Sequence, residues 1–163
     1  MYGIDFYCKG LLRLIEKNQP QSVFELAIGT GYPFAEKLLI SGIDVFGCDI
    51  SEELINYSKK SFPSINVCVA GYQDIDKIKS IFNKNFNIVY CFRSTWYFSN
   101  IADAIDCRLY FTKPSGLIIF DIMNKDCEYN KLLLQKKSYF SFYFRKKYHQ
   151  ILDELFHTWS LYA

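Results

Sequence analysis

The stretch VFELAIGTG, residues 23–31, decides the fold of this chain. It starts as an apolar run of the kind that forms a buried strand, and it passes directly into glycines and then a helical pattern. Gly29 and Gly31 let the backbone approach a ligand without collision from a Cβ atom, and the start of the next helix offers free N–H groups. The stretch therefore predicts a strand, a tight turn and a helix arranged around a ligand.

A carboxylate further along completes this pattern. Asp49 lies in GCDIS, residues 47–51, at the end of the second predicted strand. From that place it can accept hydrogen bonds from both ribose hydroxyls of a nucleoside that lies over the first strand. Each feature alone has a plainer interpretation, the glycines as a turn without a ligand and Asp49 as an acid beside a helix. Their joint occurrence at this spacing predicts an adenosine-type site.

The rest of the chain alternates strand-like and helix-like segments, which is typical of a mainly parallel sheet. The predicted strands are residues 22–28, 44–48, 65–69, 87–92 and, after a turn at 113–116, 117–122. The predicted helices are residues 6–17, a helix after Gly31 with Pro33 in its first turn, a helix capped by Ser51 and ending near residue 60, 75–82 and 101–111. The predicted fold class is therefore α/β, with a Rossmann-like twisted sheet and helices on both faces.

The pattern changes after Asn124. The aromatic runs at residues 138–144 and 150–161 predict strands that pair in antiparallel fashion. We therefore divide the chain into a core, residues 1–124, and a C-terminal segment of the same domain, residues 125–163, that covers a substrate or forms a sheet edge.

The composition is that of one globular domain. Of the 163 residues, 50% are hydrophobic and 22% are charged, and the net charge of +2 gives no strong field for nucleic acid or membrane. The six cysteines form no C-x-x-C pair and have no neighbouring histidine, so no metal site is indicated. There is no signal-peptide pattern and no apolar run of membrane-spanning length, so we expect a cytoplasmic protein.

The motif ELAIGTG, residues 25–31, resembles the first motif of class I S-adenosylmethionine-dependent methyltransferases of the small-molecule type. That motif is an acidic residue followed by a G-x-G-x-G run, and Ala27 replaces its first glycine. The resemblance continues in order through residues 47–51, 86–90 and 113–116, although Asn87 stands where the family often has an aspartate. It covers roughly residues 2–124.

The resemblance implies S-adenosylmethionine as the cofactor and assigns residues to its parts. The loop at Gly29 and Gly31 contacts the cofactor, Asp49 binds the ribose, and Ile50 packs on the adenine. Glu25 and its neighbours contact the methionine part. For the adenine amine, which the family often meets with an aspartate after strand 3, this chain has Tyr72, Gln73 or Asp74. The implied cofactor-binding residues are Glu25, Ala27, Gly29, Gly31, Asp49, Ile50, Tyr72, Gln73 and Phe92.

The acceptor pocket of the family opens at the end of strand 4, here residues 91–97. Arg93 can orient an anionic or hydroxylated substrate, and Trp96 or Tyr97 can form an apolar wall, although each can also pack beneath a loop. Methyl transfer needs alignment and exclusion of water more than a fixed catalytic dyad. A base for a hydroxyl acceptor would be His149 or His157, although their position in the C-terminal segment favours an ordinary surface role for both. The catalytic candidates are Arg93, Trp96 and His149.

Parts of the sequence also suit other interpretations. A dinucleotide-binding dehydrogenase is disfavoured because Phe34 stands where G-x-G-x-x-G needs its third glycine. Residues 131–147 contain six Lys or Arg and no acid, which suits an RNA-directed methyltransferase but also a substrate-covering hairpin. The family sheet usually ends with two further strands, and this chain has length for an insertion or for those strands but hardly for both. A non-catalytic cofactor-binding or partner-binding subunit is therefore an alternative, as is a homodimer in which a second copy supplies an edge strand.

Overall fold

The computed structural model describes residues 3–122, and its centre is a five-stranded sheet in the order β3-β2-β1-β4-β5. Each pair of neighbouring strands is parallel. The strands are β1 (Ser22–Leu26), β2 (Asp44–Asp49), β3 (Asn66–Val69), β4 (Phe86–Cys91) and β5 (Thr112–Phe120). This arrangement confirms the predicted Rossmann-like α/β class.

Helices connect the strands in the predicted alternation. They are α1 (Gly3–Asn18), α2 (Phe34–Ile40), α3 (Glu52–Ser61), α4 (Ile75–Phe82) and α5 (Ile101–Phe111), with a short 3₁₀ helix (Thr95–Tyr97) before α5. The bounds of α4 and α5 are the predicted ones. Ser51 is the N-cap of α3, as predicted, because its hydroxyl oxygen accepts a hydrogen bond from the N–H of Leu54 at 3.3 Å.

Helices cover both faces of the sheet, as the nearly continuous burial of the central strands β1 and β4 requires. On one face α1, α2 and α3 contribute to a core that includes Leu11, Val23, Leu38, Ile55 and Ile88. On the other face α4 and α5 contribute to a core that includes Phe24, Leu26, Ile78, Ala104 and Phe111. Every residue of the central strand β1 is buried.

Two element boundaries beside the glycine loop differ from the prediction. Strand β1 ends at Leu26 instead of residue 28, because Ala27 has a φ of +61°, which an extended strand does not adopt. Pro33 is the N-cap of α2, and the helix begins at Phe34.

The predicted turn at residues 113–116 is an irregularity inside β5. The register with β4 jumps from Phe86 opposite Thr112 to Ile88 opposite Leu117, so the intervening residues bulge out of the ladder. A Cβ atom on Gly116 would lie 2.8 Å from the carbonyl oxygen of Asn87, so only glycine fits this close approach.

The topology fixes where a ligand can enter. From β1 the chain moves outward through β2 and β3, then crosses to β4 on the other side of β1. The crevice outside the carboxyl ends of β1 and β4 is the position at which open α/β sheets bind ligands. The predicted antiparallel strands at residues 138–144 and 150–161 lie outside the described residues. In the part from residue 3 to residue 122, no helix is long and apolar enough to cross a membrane.

Candidate functional site

The loop after β1 is built from left-handed residues. Ala27, Gly29 and Gly31 have φ values of +61°, +58° and +78°. A Cβ atom on Gly29 would meet nothing within 4 Å, so this residue turns bare backbone toward open space. A Cβ atom on Gly31 would lie 3.2 Å from the Cβ of Ala35 and 3.3 Å from the Ser58 Oγ, so Gly31 lets α2 and α3 approach the loop. Both glycines thus allow the left-handed backbone, and Gly31 also allows close packing.

The Asp49 carboxylate fastens this loop to the end of β2. Its Oδ2 accepts a hydrogen bond from the N–H of Gly29, and its Oδ1 accepts one from the N–H of Ser51, both at 2.9 Å. A carboxylate offers about four acceptor positions, so both oxygens keep the capacity to accept a further donor from a ligand. Sequence reasoning predicted a carboxylate at this edge but not its bond to the glycine loop.

An apolar surface adjoins Asp49 on the β3 side. Ile50 is 80% exposed, and its Cγ2 lies 3.2 Å from where a Cβ atom on Gly71 would stand. Gln73 is exposed beside Gly71, whose N–H donates to the Asp74 carboxylate at 2.8 Å. The structure therefore brings Ile50, Gln73 and Asp74 together around the end of β3.

Tyr72 has a different environment from Gln73. It is buried, its ring packs on that of Phe98 with centroids 5.0 Å apart, and its hydroxyl forms a 2.7 Å hydrogen bond with the Ser99 Oγ. The same hydroxyl oxygen accepts from the N–H of Asn100 at 3.2 Å. Tyr72 therefore supports the start of α5, and its polar atom is already paired within the fold.

A buried acid lies on β1 between the two neighbouring strands. Glu25 is 4% exposed and stands opposite Gly47 on β2 and Tyr90 on β4. The Tyr90 hydroxyl donates to the Glu25 Oε2 at 2.9 Å. Burial raises the pKa of Glu25 to about 8, although the hydrogen bond from Tyr90 lowers it, and the charge of Asp49 raises it further. The partner Tyr90 was not predicted, because no local sequence signal marks a contact across 65 residues.

Gly47 has a steric role that the sequence did not reveal. A Cβ atom there would lie 2.6 Å from the Ile28 Cδ1 and 3.0 Å from the carbonyl oxygen of Glu25. The side chain of Ile28 therefore packs directly over the backbone of β2, beside the acid.

A second carboxylate organises the end of β4. Both carboxylate oxygens of Asp121 accept from the backbone N–H of Arg93 at 3.0 Å, and Arg93 has a left-handed φ of +58°. The Thr95 hydroxyl donates to the backbone carbonyl oxygen of Asp121 at 2.8 Å. Burial raises the pKa of Asp121, while hydrogen bonds from the Arg93 N–H and Tyr7 lower it. Asp121 thus holds a strained backbone and leaves the Arg93 side chain exposed.

The remaining predicted residues are dispersed. Phe92 is buried in the core, with its ring 5.2 Å from those of Tyr7 and Phe34. Tyr97 is 80% exposed. Trp96 lies in the 3₁₀ helix, and its side chain, like His149 and His157, falls outside what the structure describes.

Comparison with known proteins gives the site its context. A sequence model described as a methyltransferase domain matches residues 2–159. YqeM of Bacillus subtilis (strain 168), whose name marks it as a candidate methyltransferase, is 28% identical over 113 residues, which cover 66% of this chain and 45% of that protein.

Solved structures show the same fold. The sugar N-methyltransferase KedS8 from Streptoalloteichus sp ATCC 53650 superposes with a TM-score of 0.63 at 20% identity, over 75% of this chain and 50% of its own. An S-adenosylmethionine-dependent methyltransferase from Clostridium acetobutylicum ATCC 824 gives 0.60 at 21% identity, over 71% and 49%. The plantazolicin methyltransferase BpumL in complex with SAH gives 0.54 at 20% identity, over 67% and 42%.

The chain spans about half the length of these relatives. The family match nevertheless covers nearly all of its residues. The chain belongs to the methyltransferase-domain family and has the class I fold of S-adenosylmethionine-dependent methyltransferases.

Proposed function

We propose that this chain binds S-adenosylmethionine and transfers its methyl group to a small molecule. The observation that carries the proposal is the Asp49 carboxylate, which holds the N–H groups of Gly29 and Ser51 at 2.9 Å beside the topological switch point. A carboxylate with spare acceptor capacity next to bare glycine backbone suits the two ribose hydroxyls of a nucleoside.

The surroundings of Asp49 fit the other parts of this cofactor. Ile50, 80% exposed, offers an apolar surface to the adenine ring. Exposed Gln73 and Asp74 lie next to Ile50 and can meet the adenine amine. Glu25 lies on the opposite side of the loop, toward β4, where the methionine part would extend.

S-adenosylmethionine, when bound, supplies a methyl group activated by a positively charged sulfur. The chain contributes alignment of the acceptor with that methyl group and a site from which water is excluded. Arg93 can orient an anionic or hydroxylated acceptor, because Asp121 fixes its backbone while its side chain stays exposed. Tyr97 and Trp96 are proposed as acceptor-side walls, and His149 as a base for a hydroxyl acceptor.

Two observations favour a small acceptor. The structural neighbours include a protein named for sugar N-methylation and one named for methylation of plantazolicin. The net charge of +2 supplies little general attraction for RNA.

The same proposal covers location and assembly. The buried thiols of Cys48, Cys68, Cys91 and Cys107 suit the reducing cytoplasm. We propose residues 1–124 as the cofactor-binding core and residues 125–163 as the segment that covers the acceptor or extends the sheet. A homodimer is the assembly to test by sedimentation.

The proposal is tested by incubating the protein with S-adenosylmethionine that carries a labelled methyl group and a panel of amino sugars, hydroxy acids, azole peptides and RNA. We expect label in a small-molecule acceptor and none in RNA. Label in RNA alone would overturn the acceptor class, and cofactor binding without any transfer would favour a non-catalytic subunit.

A further inference from the structure

The Glu25 carboxyl has an unusual position for an ionisable group. It lies on the central strand β1, whose residues are all buried. Its one described hydrogen bond is donated by the neutral Tyr90 hydroxyl, at 2.9 Å. On the other side it faces Gly47, which has no side chain with which to pair it. A buried carboxylate with one neutral donor is poorly compensated for its lost hydration.

Within residues 3–122, the groups that act on the Glu25 carboxyl supply no positive charge. Asp49 on β2 is acidic, and Tyr90 on β4 keeps its proton, because burial raises its pKa well above the ordinary value and a negative charge on Glu25 would raise it further. Cys8 on α1 and Cys91 on β4 lie near Tyr90 and would repel an anion if ionised. Helix α2 contributes the ring of Phe34, which packs edge-on against Tyr90 at 6.3 Å.

The location of the acid selects one part of the cofactor. If the ribose lies at Asp49 and the base lies at Ile50 on the β3 side, the rest of the molecule extends across β1 toward β4. That part carries an α-ammonium group, which can donate hydrogen bonds to a carboxylate, and a sulfonium, which cannot. Glu25 therefore meets the ammonium end of the ligand.

We propose that Glu25 holds a proton in the ligand-free protein and releases it to solvent when the ammonium group of the cofactor binds beside it. The inference rests on the proposed function. The O–H bond of the carboxyl breaks, the proton passes to buffer, and the carboxylate that remains is paired with the ammonium while Tyr90 continues to donate its hydrogen bond. Cofactor affinity therefore depends on pH, because binding of the positively charged ammonium group requires Glu25 to lose its proton.

The experiment is calorimetric titration with S-adenosylhomocysteine, which shares the ammonium group, in buffers of different ionisation enthalpy. The pKa of about 8 makes Glu25 about nine-tenths protonated at pH 7, so about 0.9 proton should be released for each ligand bound. Between pH 6 and pH 7, where the ligand ammonium stays charged, the dissociation constant should fall about tenfold.

Three variants test whether Glu25 is the group that releases the proton. Glu25→Gln should bind without proton release or pH dependence, whereas Glu53→Gln, an exposed control on α3, should behave as wild type. Tyr90→Phe removes a bond that lowers the pKa of Glu25, so it should still release nearly a full proton at pH 7. Binding without proton release by wild type, or release by Glu25→Gln equal to wild type, would overturn the inference.

A spectroscopic readout separates this inference from the proposed function. The infrared spectrum of the ligand-free protein at pH 7 should contain a protonated-carboxyl band that Glu25→Gln lacks. If wild type binds neither S-adenosylmethionine nor its homocysteine product, the proposed function fails while the band still tests the protonated state of Glu25. Absence of the band in wild type refutes that state directly.

Discussion

Replacing Glu25 by glutamine should change how the stability of the ligand-free protein depends on pH. The native pKa is about 8 and the reference value for an exposed glutamate is 4.5. The native state therefore binds the Glu25 proton more tightly than the unfolded state does. Below pH 4.5 the group is protonated in both states, and above pH 8 it is ionised in both, so its cost to stability accumulates between these values.

The size of the effect follows from the same pKa difference. Each pH unit inside the window lowers the free energy of unfolding by about 1.4 kcal/mol, to a total of about 5 kcal/mol. Between pH 5 and pH 7 wild type should thus lose about 2 to 3 kcal/mol relative to Glu25→Gln, which has no carboxyl to ionise and keeps an acceptor for the Tyr90 hydroxyl.

Urea denaturation at unit pH intervals from pH 5 to pH 8, followed by circular dichroism, measures this difference directly. Subtracting the variant curve from the wild-type curve cancels the other titrating groups, and Glu53→Gln should run parallel to wild type. Parallel curves for wild type and Glu25→Gln would refute the idea that the native carboxyl holds a proton at neutral pH.

Three further substitutions test the packing around the site, each by the free energy of unfolding in urea. Ala27→Gly should be neutral or stabilising by up to about 1 kcal/mol, because Ala27 has a left-handed φ of +61° that glycine adopts without strain. Ala27→Val should be destabilising, and equal effects of the two substitutions would show that the backbone at residue 27 is not strained. Gly47→Ala should lose about 1 to 3 kcal/mol because its new methyl would lie 2.6 Å from the Ile28 Cδ1, and an unchanged value would show that Ile28 moves freely. Arg108 is fully buried, and within residues 3–122 its three guanidinium nitrogens have no hydrogen-bond partner beyond a contact with the Cys91 thiol. Arg108→Met should therefore be neutral or raise stability by about 1 to 4 kcal/mol, and a large loss would show that the contacts of Arg108 with two phenylalanine rings outweigh the buried charge.

Local patterns were sufficient for much of the fold. The helix-like patterns at residues 75–82 and 101–111 placed α4 and α5 correctly, and Ser51 caps α3 as its type and position indicate. The motif around Gly29 likewise located the turn after β1. These features depend on residues that are close together in the chain, so sequence spacing is enough to predict them.

Contacts between distant segments were not predictable in the same way. The partner of Glu25 is set by the register of β1 against β4, and nothing near Tyr90 in sequence marks it as a hydrogen-bond donor to that acid. The burial of Arg108 in α5 also depends on tertiary packing, since an arginine is ordinarily expected on a helix surface. The turn predicted before β5 was wrong because pairing with β4 extends through residue 112 and absorbs the KPSG segment as a bulge.

We propose that Asp49 and the loop after β1 bind a nucleoside cofactor. Calorimetric titration with S-adenosylmethionine would measure this binding, with Asp49→Ala compared with Asp44→Asn, a control at the exposed opposite end of the same strand. We predict a dissociation constant in the micromolar range, on the order of −8 kcal/mol. The Asp44→Asn value should be unchanged, and Asp49→Ala should bind at least about tenfold more weakly because it loses charge-assisted hydrogen bonds. A folded wild-type protein that binds no S-adenosylmethionine, or an Asp49→Ala variant that binds it as tightly as wild type, would show that this loop is not the cofactor site.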